Sequence, residues 1–222
     1  MKISLPVAMV ATAIALTACG GKSADSTQAD APQAAPGTSA TAAPAAPTPE
    51  QRQRAEKLAQ LEYATMEDAY LNDPKAQWAT GATATSEFGQ SQSGGASQFS
   101  RAVNIAGKPD NKVWQNDNLN LGFDSFEATF ATPVHATEFR AVFQGRTAGA
   151  VSKLELKDSA GNYTTVWSGI NEDPEEHRGP RTWFVRKFER TAMPVVAAKV
   201  TIANAVDSTY KKVDAVQLVG EP

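Results

Sequence analysis

Beyond Gln77 the apolar residues of this chain alternate with polar ones in short runs. Phe126, Ala128 and Phe130 are interleaved with Glu127 and Thr129. Phe139, Ala141 and Phe143 are interleaved with Glu138 and Arg140, and Leu154 and Leu156 have charged neighbours. A period of two puts every second side chain on one side, so each run predicts a strand with one buried face. Asp158-Ser159-Ala160-Gly161-Asn162 predicts a hairpin turn into a strand over 163–167, and residues 183–188, 199–203 and 213–219 complete the set. No helical period separates these runs. The pattern therefore predicts a mainly β domain over 76–222, an antiparallel β-sandwich or jelly roll. About 145 residues suffice for a solid core without disulfides.

A different period precedes it. Leu58, Leu61, Met66 and Tyr70 recur at roughly helical spacing. Thr48-Pro49-Glu50-Gln51 reads as a helix start, with Thr48 as cap, Pro49 in the first helical position and Gln51 closing a capping box. Asn72-Asp73-Pro74 ends it, so a short α-helix is predicted over 49–73. Its thin apolar stripe predicts packing against the domain that follows. A short coiled coil is the alternative, although fewer than three heptads are present. Residues 20–48 contain only Gly, Lys, Ser, Ala, Asp, Thr, Gln and Pro. Without aromatic or branched aliphatic side chains nothing offsets the entropy of ordering, so 19–48 reads as a disordered tether. As a flexible coil it would span about 30 Å.

Residues 1–18 read as a signal peptide: Lys2 is the charged start, and 3–16 is an apolar stretch too short to span a bilayer. The stretch ends in Leu16-Thr17-Ala18-Cys19. A Leu, two small residues and a Cys resemble the bacterial lipobox, which implies cleavage before Cys19 and acylation of that residue. Several acyl chains would anchor the protein firmly where one would not. Gly20 stands where an inner-membrane retention signal would place Asp. The resemblance thus implies an outer-membrane lipoprotein of the bacterial cell envelope, facing the periplasm.

Composition narrows the function. The 222 residues carry a formal charge of −3, and removal of Lys2 with the signal leaves 20 basic against 24 acidic residues. Nucleic-acid binding, which needs a surplus of Lys and Arg, is not expected. One cysteine excludes an internal disulfide and any zinc site built on paired cysteines. The chain has no H-E-x-x-H, G-x-G-x-x-G, P-loop or G-x-S-x-G motif, and no catalytic residue is assigned. His135 reads as a turn histidine, and the acidic run Glu172-Asp173-Pro174-Glu175-Glu176, followed by His177, as a solvated loop or a site for a cation or a basic partner.

The segments Trp78-Ala79-Thr80-Gly81-Ala82-Thr83-Ala84-Thr85-Ser86, Ala106-Gly107-Lys108-Pro109-Asp110, Ala128-Thr129-Phe130-Ala131-Thr132-Pro133-Val134, Val166-Trp167-Ser168-Gly169 and Val213-Asp214-Ala215-Val216-Gln217-Leu218-Val219-Gly220 carry a resemblance. Their order and spacing resemble the galactose-binding-like fold of discoidin and coagulation-factor C-type domains. The terminal Cys pair often found in those domains is missing here. The resemblance implies a non-catalytic binding module that recognises a carbohydrate or envelope glycan through loops at one end of the sandwich. A protein-interaction or assembly role without a sugar ligand is the alternative. No cofactor is required. The resemblance also implies a structural calcium between an early loop and the last strand, for which Asp110 and Asp214 are the candidate ligands. Sugars stack on aromatic faces and accept fixed pairs of hydrogen bonds from Arg. The candidate ligand-binding residues are therefore Arg146, in Gln144-Gly145-Arg146-Thr147, and Arg178, Arg181 and Trp183, read as one loop.

Overall fold

The computed structural model describes residues 46–145, 147–172 and 181–222. Cys19, Arg146, His177 and Arg178 lie outside them. A helix, α1 (Pro49–Leu71), comes first. The Thr48 hydroxyl accepts from the Gln51 N–H and the Gln51 side chain accepts from the Thr48 N–H, closing the capping box. Nine strands follow among the described residues: β1 (Ala76–Trp78), β2 (Gly81–Ala84), β3 (Trp114–Gln115), β4 (Phe123–Gln144), β5 (Val151–Asp158), β6 (Tyr163–Ser168), β7 (Arg181–Lys187), β8 (Val195–Ala203) and β9 (Lys212–Glu221). All pairings are antiparallel. The fold is the mainly β antiparallel sandwich, preceded by a helix, that the alternating pattern predicts.

The long strand β4 belongs to both sheets. Its first part pairs with β2 and β8, and β8 continues to β5 and β6. Its second part pairs with β9 and β7, and β9 carries β1 and β3 at its two ends. The register slips between Thr129 and Val134. Pro133 sits there without an N–H to donate, so the ladder is interrupted and the strand passes from one sheet to the other. The core fills the space between the sheets. Trp114 and Phe126 meet at 5.3 Å between ring centroids, and Phe184 meets Phe139 at 6.3 Å and Trp167 at 5.5 Å. Gly220 is required where β9 crosses His135, because a Cβ there would lie 2.6 Å from the His135 carbonyl oxygen.

The outer face of the β4–β9–β7 sheet is not solvated. Glu138, Arg140 and Gln217, on the polar side of their strands, are buried beneath α1. Arg140 donates from Nε to Glu138 (2.6 Å), from Nη1 to Gln217 (2.9 Å) and from Nη2 to Asp73 (2.9 Å), and its guanidinium lies 4.1 Å from the Tyr70 ring centroid. Gln217 donates in turn to the Tyr70 carbonyl. Tyr63, Met66, Glu67 and Tyr70 face the sheet, whereas Leu58 and Leu61 are exposed. Of the stripe predicted from sequence, Met66 and Tyr70 face the sheet, whereas Leu58 and Leu61 do not, and Tyr63 and Glu67 complete the docking face with polar contacts.

Candidate functional site

Three loops meet at the end of the sandwich where β4 runs out. The loop before β3 brings Asn111. The turn after β4 brings Gln144, Gly145 and Thr147, and the loop before β9 brings Asp207, Thr209, Tyr210 and Lys212. Together they line an open cleft of about 640 Å³. Amide, hydroxyl, carboxylate and ammonium groups surround one aromatic ring, which is the inventory that binds a polyhydroxylated ligand.

Each loop is braced from below. Asp214 on β9 is 1% exposed. Its carboxylate accepts from the backbone N–H groups of Asp110 (3.0 Å) and Asn111 (3.2 Å), and Asn111 holds a positive φ of 70°. Burial pushes the Asp214 carboxyl up, against the two backbone donors that pull it down. Gly145 takes the left-handed conformation in the second loop, and its carbonyl accepts from the Thr182 hydroxyl at 2.7 Å. In the third loop Asp207 accepts from the N–H and the hydroxyl of Thr209, both at 2.8 Å. Tyr210 packs edge-on against Phe88 at 4.9 Å, which fixes its ring at the cleft wall.

Lys211 is the central brace. Its side chain is wholly buried, and its ammonium donates to the carbonyls of Leu119 (3.0 Å), Asn204 (2.9 Å) and Asp207. Burial pushes this ammonium down; the charges of Asp207 and Asp124 oppose that shift. Beside it Asp124 accepts from Ser86 (2.7 Å), Asn118 (3.1 Å) and Asn204 (2.9 Å), while Asn116 accepts from the Lys211 N–H (2.7 Å). The sequence reading missed this network. Asn116, Asn118 and Asn204 look like turn residues in sequence, and a lysine ahead of a strand looks solvated. An Asn-rich run facing an acid across the chain was the one available signal.

The sequence candidates are placed as follows. Arg146 lies outside the described residues, between two residues that line the cleft. Arg178 also lies outside them. Arg181 and Trp183 are corrected: they sit on strand β7, not in a loop, and they face α1. Trp183 packs on Tyr70 (5.1 Å) and Trp78 (6.4 Å), with its indole N–H 3.3 Å from Glu67. Arg181 Nε lies 3.2 Å from the same Glu67, and its carbonyl accepts from the Tyr63 hydroxyl at 2.7 Å. Burial, then the Glu67 charge, pushes that phenol up to about 12. Both residues hold the helix to the sheet, and Arg181 does so beside the cleft, as the strand partner of Gln144.

Asp110 and Asp214 do not fit a shared cation. Asp110 meets Asp214 through its backbone N–H, and its own carboxylate is paired with Lys112 at 2.6 Å. The Asp214 oxygens already serve two N–H donors, and N–H groups cannot ligate a metal. Among the described residues no group of three acidic, His or Cys side chains converges. His135 lies within β4, with Nδ1 2.7 Å from the Thr191 carbonyl oxygen.

No protein-family model and no curated protein sequence matches this chain. Solved structures similar to it include a chitosan-binding module from a chitosanase/glucanase of Paenibacillus sp. IK-5. That match has 10% identity and a TM-score of 0.49, over 64% of this chain and 95% of that one. The family 32 CBM of C. perfringens NanJ, in complex with galactose, is similar at 14% identity and a TM-score of 0.47, over 64% and 98%. CBM32-3 from a family 31 glycoside hydrolase of Clostridium perfringens is similar at 16% identity and a TM-score of 0.47, over 68% and 94%. At these identities the likeness concerns the course of the chain and assigns no residue.

Proposed function

We propose that this chain is a non-catalytic glycan-binding module, moored to the bacterial outer membrane by lipid on Cys19 and facing the periplasm. The observation that carries the binding reading is the braced loop-end cleft, where Tyr210 supplies an aromatic face among hydrogen-bonding groups from three loops. Preformed loops bind without a large ordering cost, which suits recognition of a flexible polar ligand. The Tyr210→Ala variant is expected to lose about tenfold or more in affinity for glycans that the wild type retains on an array, measured by titration calorimetry. Undiminished binding would place the ligand elsewhere. The mooring rests on Leu16-Thr17-Ala18-Cys19. The Cys19→Ser chain is expected to accumulate as unprocessed precursor without incorporating radiolabelled palmitate, and normal labelling would refute the anchor. Docking to a protein partner is a second reading, supported by the exposed Leu58 and Leu61 on α1.

A further inference from the structure

The end of the sandwich away from the cleft holds a second, narrower pocket. Strand β7 pairs with Gln144 at its start and with Glu138 at its end, so the segment that follows it lies at that far end. Leu156 and Asp158 share one face of β5 by the period of two. Thr164, the strand partner of Leu156, shares that face with Val166 on β6. Residues between Glu189 and Val195 supply the opposite wall, and the pocket measures about 220 Å³. Sites for drug-sized ligands start at roughly 300 Å³, so this one suits a ligand of a few heavy atoms.

The wall is fixed in place. The Thr191 N–H donates to the Ala136 carbonyl (3.0 Å), the Thr191 hydroxyl accepts from the Ala136 N–H (2.9 Å), and the Thr191 carbonyl lies 2.7 Å from His135 Nδ1. The floor is apolar. Leu156 and Val195 belong to the core, Val166 packs against it, and Met193 is exposed at the rim. The lining contains no Lys, Arg, His, Asn or Gln side chain among the described residues. Its polar side chains are the carboxylates Asp158 and Glu189 and the hydroxyls of Thr164 and Thr191.

Neither carboxylate is neutralised. Asp158 accepts from neutral donors, the N–H groups of Ala160 and Asn162 (both 2.9 Å) and the Asn162 side chain (3.2 Å). The Asn162 N–H, then the Asn162 side chain, hold the Asp158 carboxyl below its ordinary range, so it keeps its charge. Glu189 has no hydrogen-bond or ion-pair partner among the described residues. Arg190, next in the chain, lines the neighbouring pocket with Lys75 and Glu221. Two negative charges over an apolar floor complement a cationic donor carried on a short hydrocarbon chain. An anion would be repelled, and a sugar would leave hydroxyls unpaired against the aliphatic floor.

We propose that this pocket is a binding site for a primary alkylammonium group, either a free short amine or the end of a lysine side chain. The hydrocarbon chain lies on Leu156, Val166 and Val195 beside Met193, and the ammonium sits with Glu189 at the mouth. The site is separate from the cleft and does not rest on the glycan reading. The full chain, carrying ¹³C-methyl methionine, is titrated with n-pentylamine, 1-pentanol and pentanoate at pH 7, and Met193→Leu assigns the Met193 signal. Pentylamine should shift that signal saturably and bind about fivefold or more tightly than 1-pentanol or pentanoate. Glu189→Gln should weaken pentylamine about threefold or more and leave 1-pentanol unchanged. Ala192→Trp, at an exposed lining position, should block both, with an unchanged melting temperature showing that the fold is kept. Capped lysine separates the sources: binding equal to that of pentylamine supports a lysine side chain, and binding of pentylamine alone supports a free amine. The proposal is overturned by a Met193 signal that pentylamine does not move, by 1-pentanol binding as tightly as pentylamine, or by an unchanged pentylamine affinity in Glu189→Gln.

Discussion

Replacing Arg140 with alanine should cost the fold about 3–5 kcal/mol, since it strands a carboxylate in a buried, charge-paired cluster. The guanidinium joins four side chains: Glu138 on β4, Gln217 on β9, Tyr70 in the last turn of α1 and Asp73 just beyond it. Without it the Glu138 side chain loses its cationic partner beneath the helix, and the helix loses both its ion pair and its cation–π contact. Burial works against the Arg140 charge, yet Glu138 and Asp73 hold its pKa above the usual arginine range. Urea unfolding measures the loss, and the melting temperature should fall by about 10 °C. Arg140→Met combined with Glu138→Gln should recover most of the stability, because the cost lies in the stranded charge more than in the missing pair. A loss below about 1 kcal/mol in Arg140→Ala would show that water reaches Glu138 freely.

Lys211→Met should destabilise the domain by a similar amount, about 3–5 kcal/mol, by a different route. The methionine fills the volume of the lysine stem but leaves the carbonyls of Leu119, Asn204 and Asp207 without their shared donor. Each unsatisfied buried polar group costs about 1–3 kcal/mol. The two effects also differ in location. Arg140→Ala loosens the helix and leaves the loop end intact. Lys211→Met frees the 116–123 and 204–212 loops, so glycan affinity should fall together with stability. Denaturation curves combined with hydrogen exchange on residues 204–212 separate the two. Unchanged exchange in that loop would mean that the Asp124 network holds it alone.

The strands were legible because a period of two along a chain has one main physical meaning, a sheet with one face buried. Phe126, Ala128 and Phe130 are buried where Glu127 and Thr129 are not, as the alternation predicts. The helix start was legible because Thr48 and Gln51 satisfy each other's backbone donors locally. The site was less legible. Gln144, Gly145 and Thr147 stood out as a loop in sequence, and they do line the cleft. The residues that face them, Asp207 to Lys212, carry no local motif, since a cleft wall needs no periodicity. Arg181 and Trp183 misled for a related reason. An Arg beside an aromatic residue serves equally to grip a sugar or to seat a helix, and only the position of α1 distinguishes the two.

Sequence by itself therefore determined the sandwich and the capped helix before it, because each follows from the pattern of neighbouring residues. Tertiary structure decided which polar groups are buried and which surface is free. Glu138 and Arg140 follow the pattern of solvent-facing residues, yet α1 covers them; Lys211 has the composition of a surface residue, yet three backbone carbonyls from two loops surround it. Burial of a charge depends on partners distant in the chain, which meet only once the sheets have paired and the helix has docked.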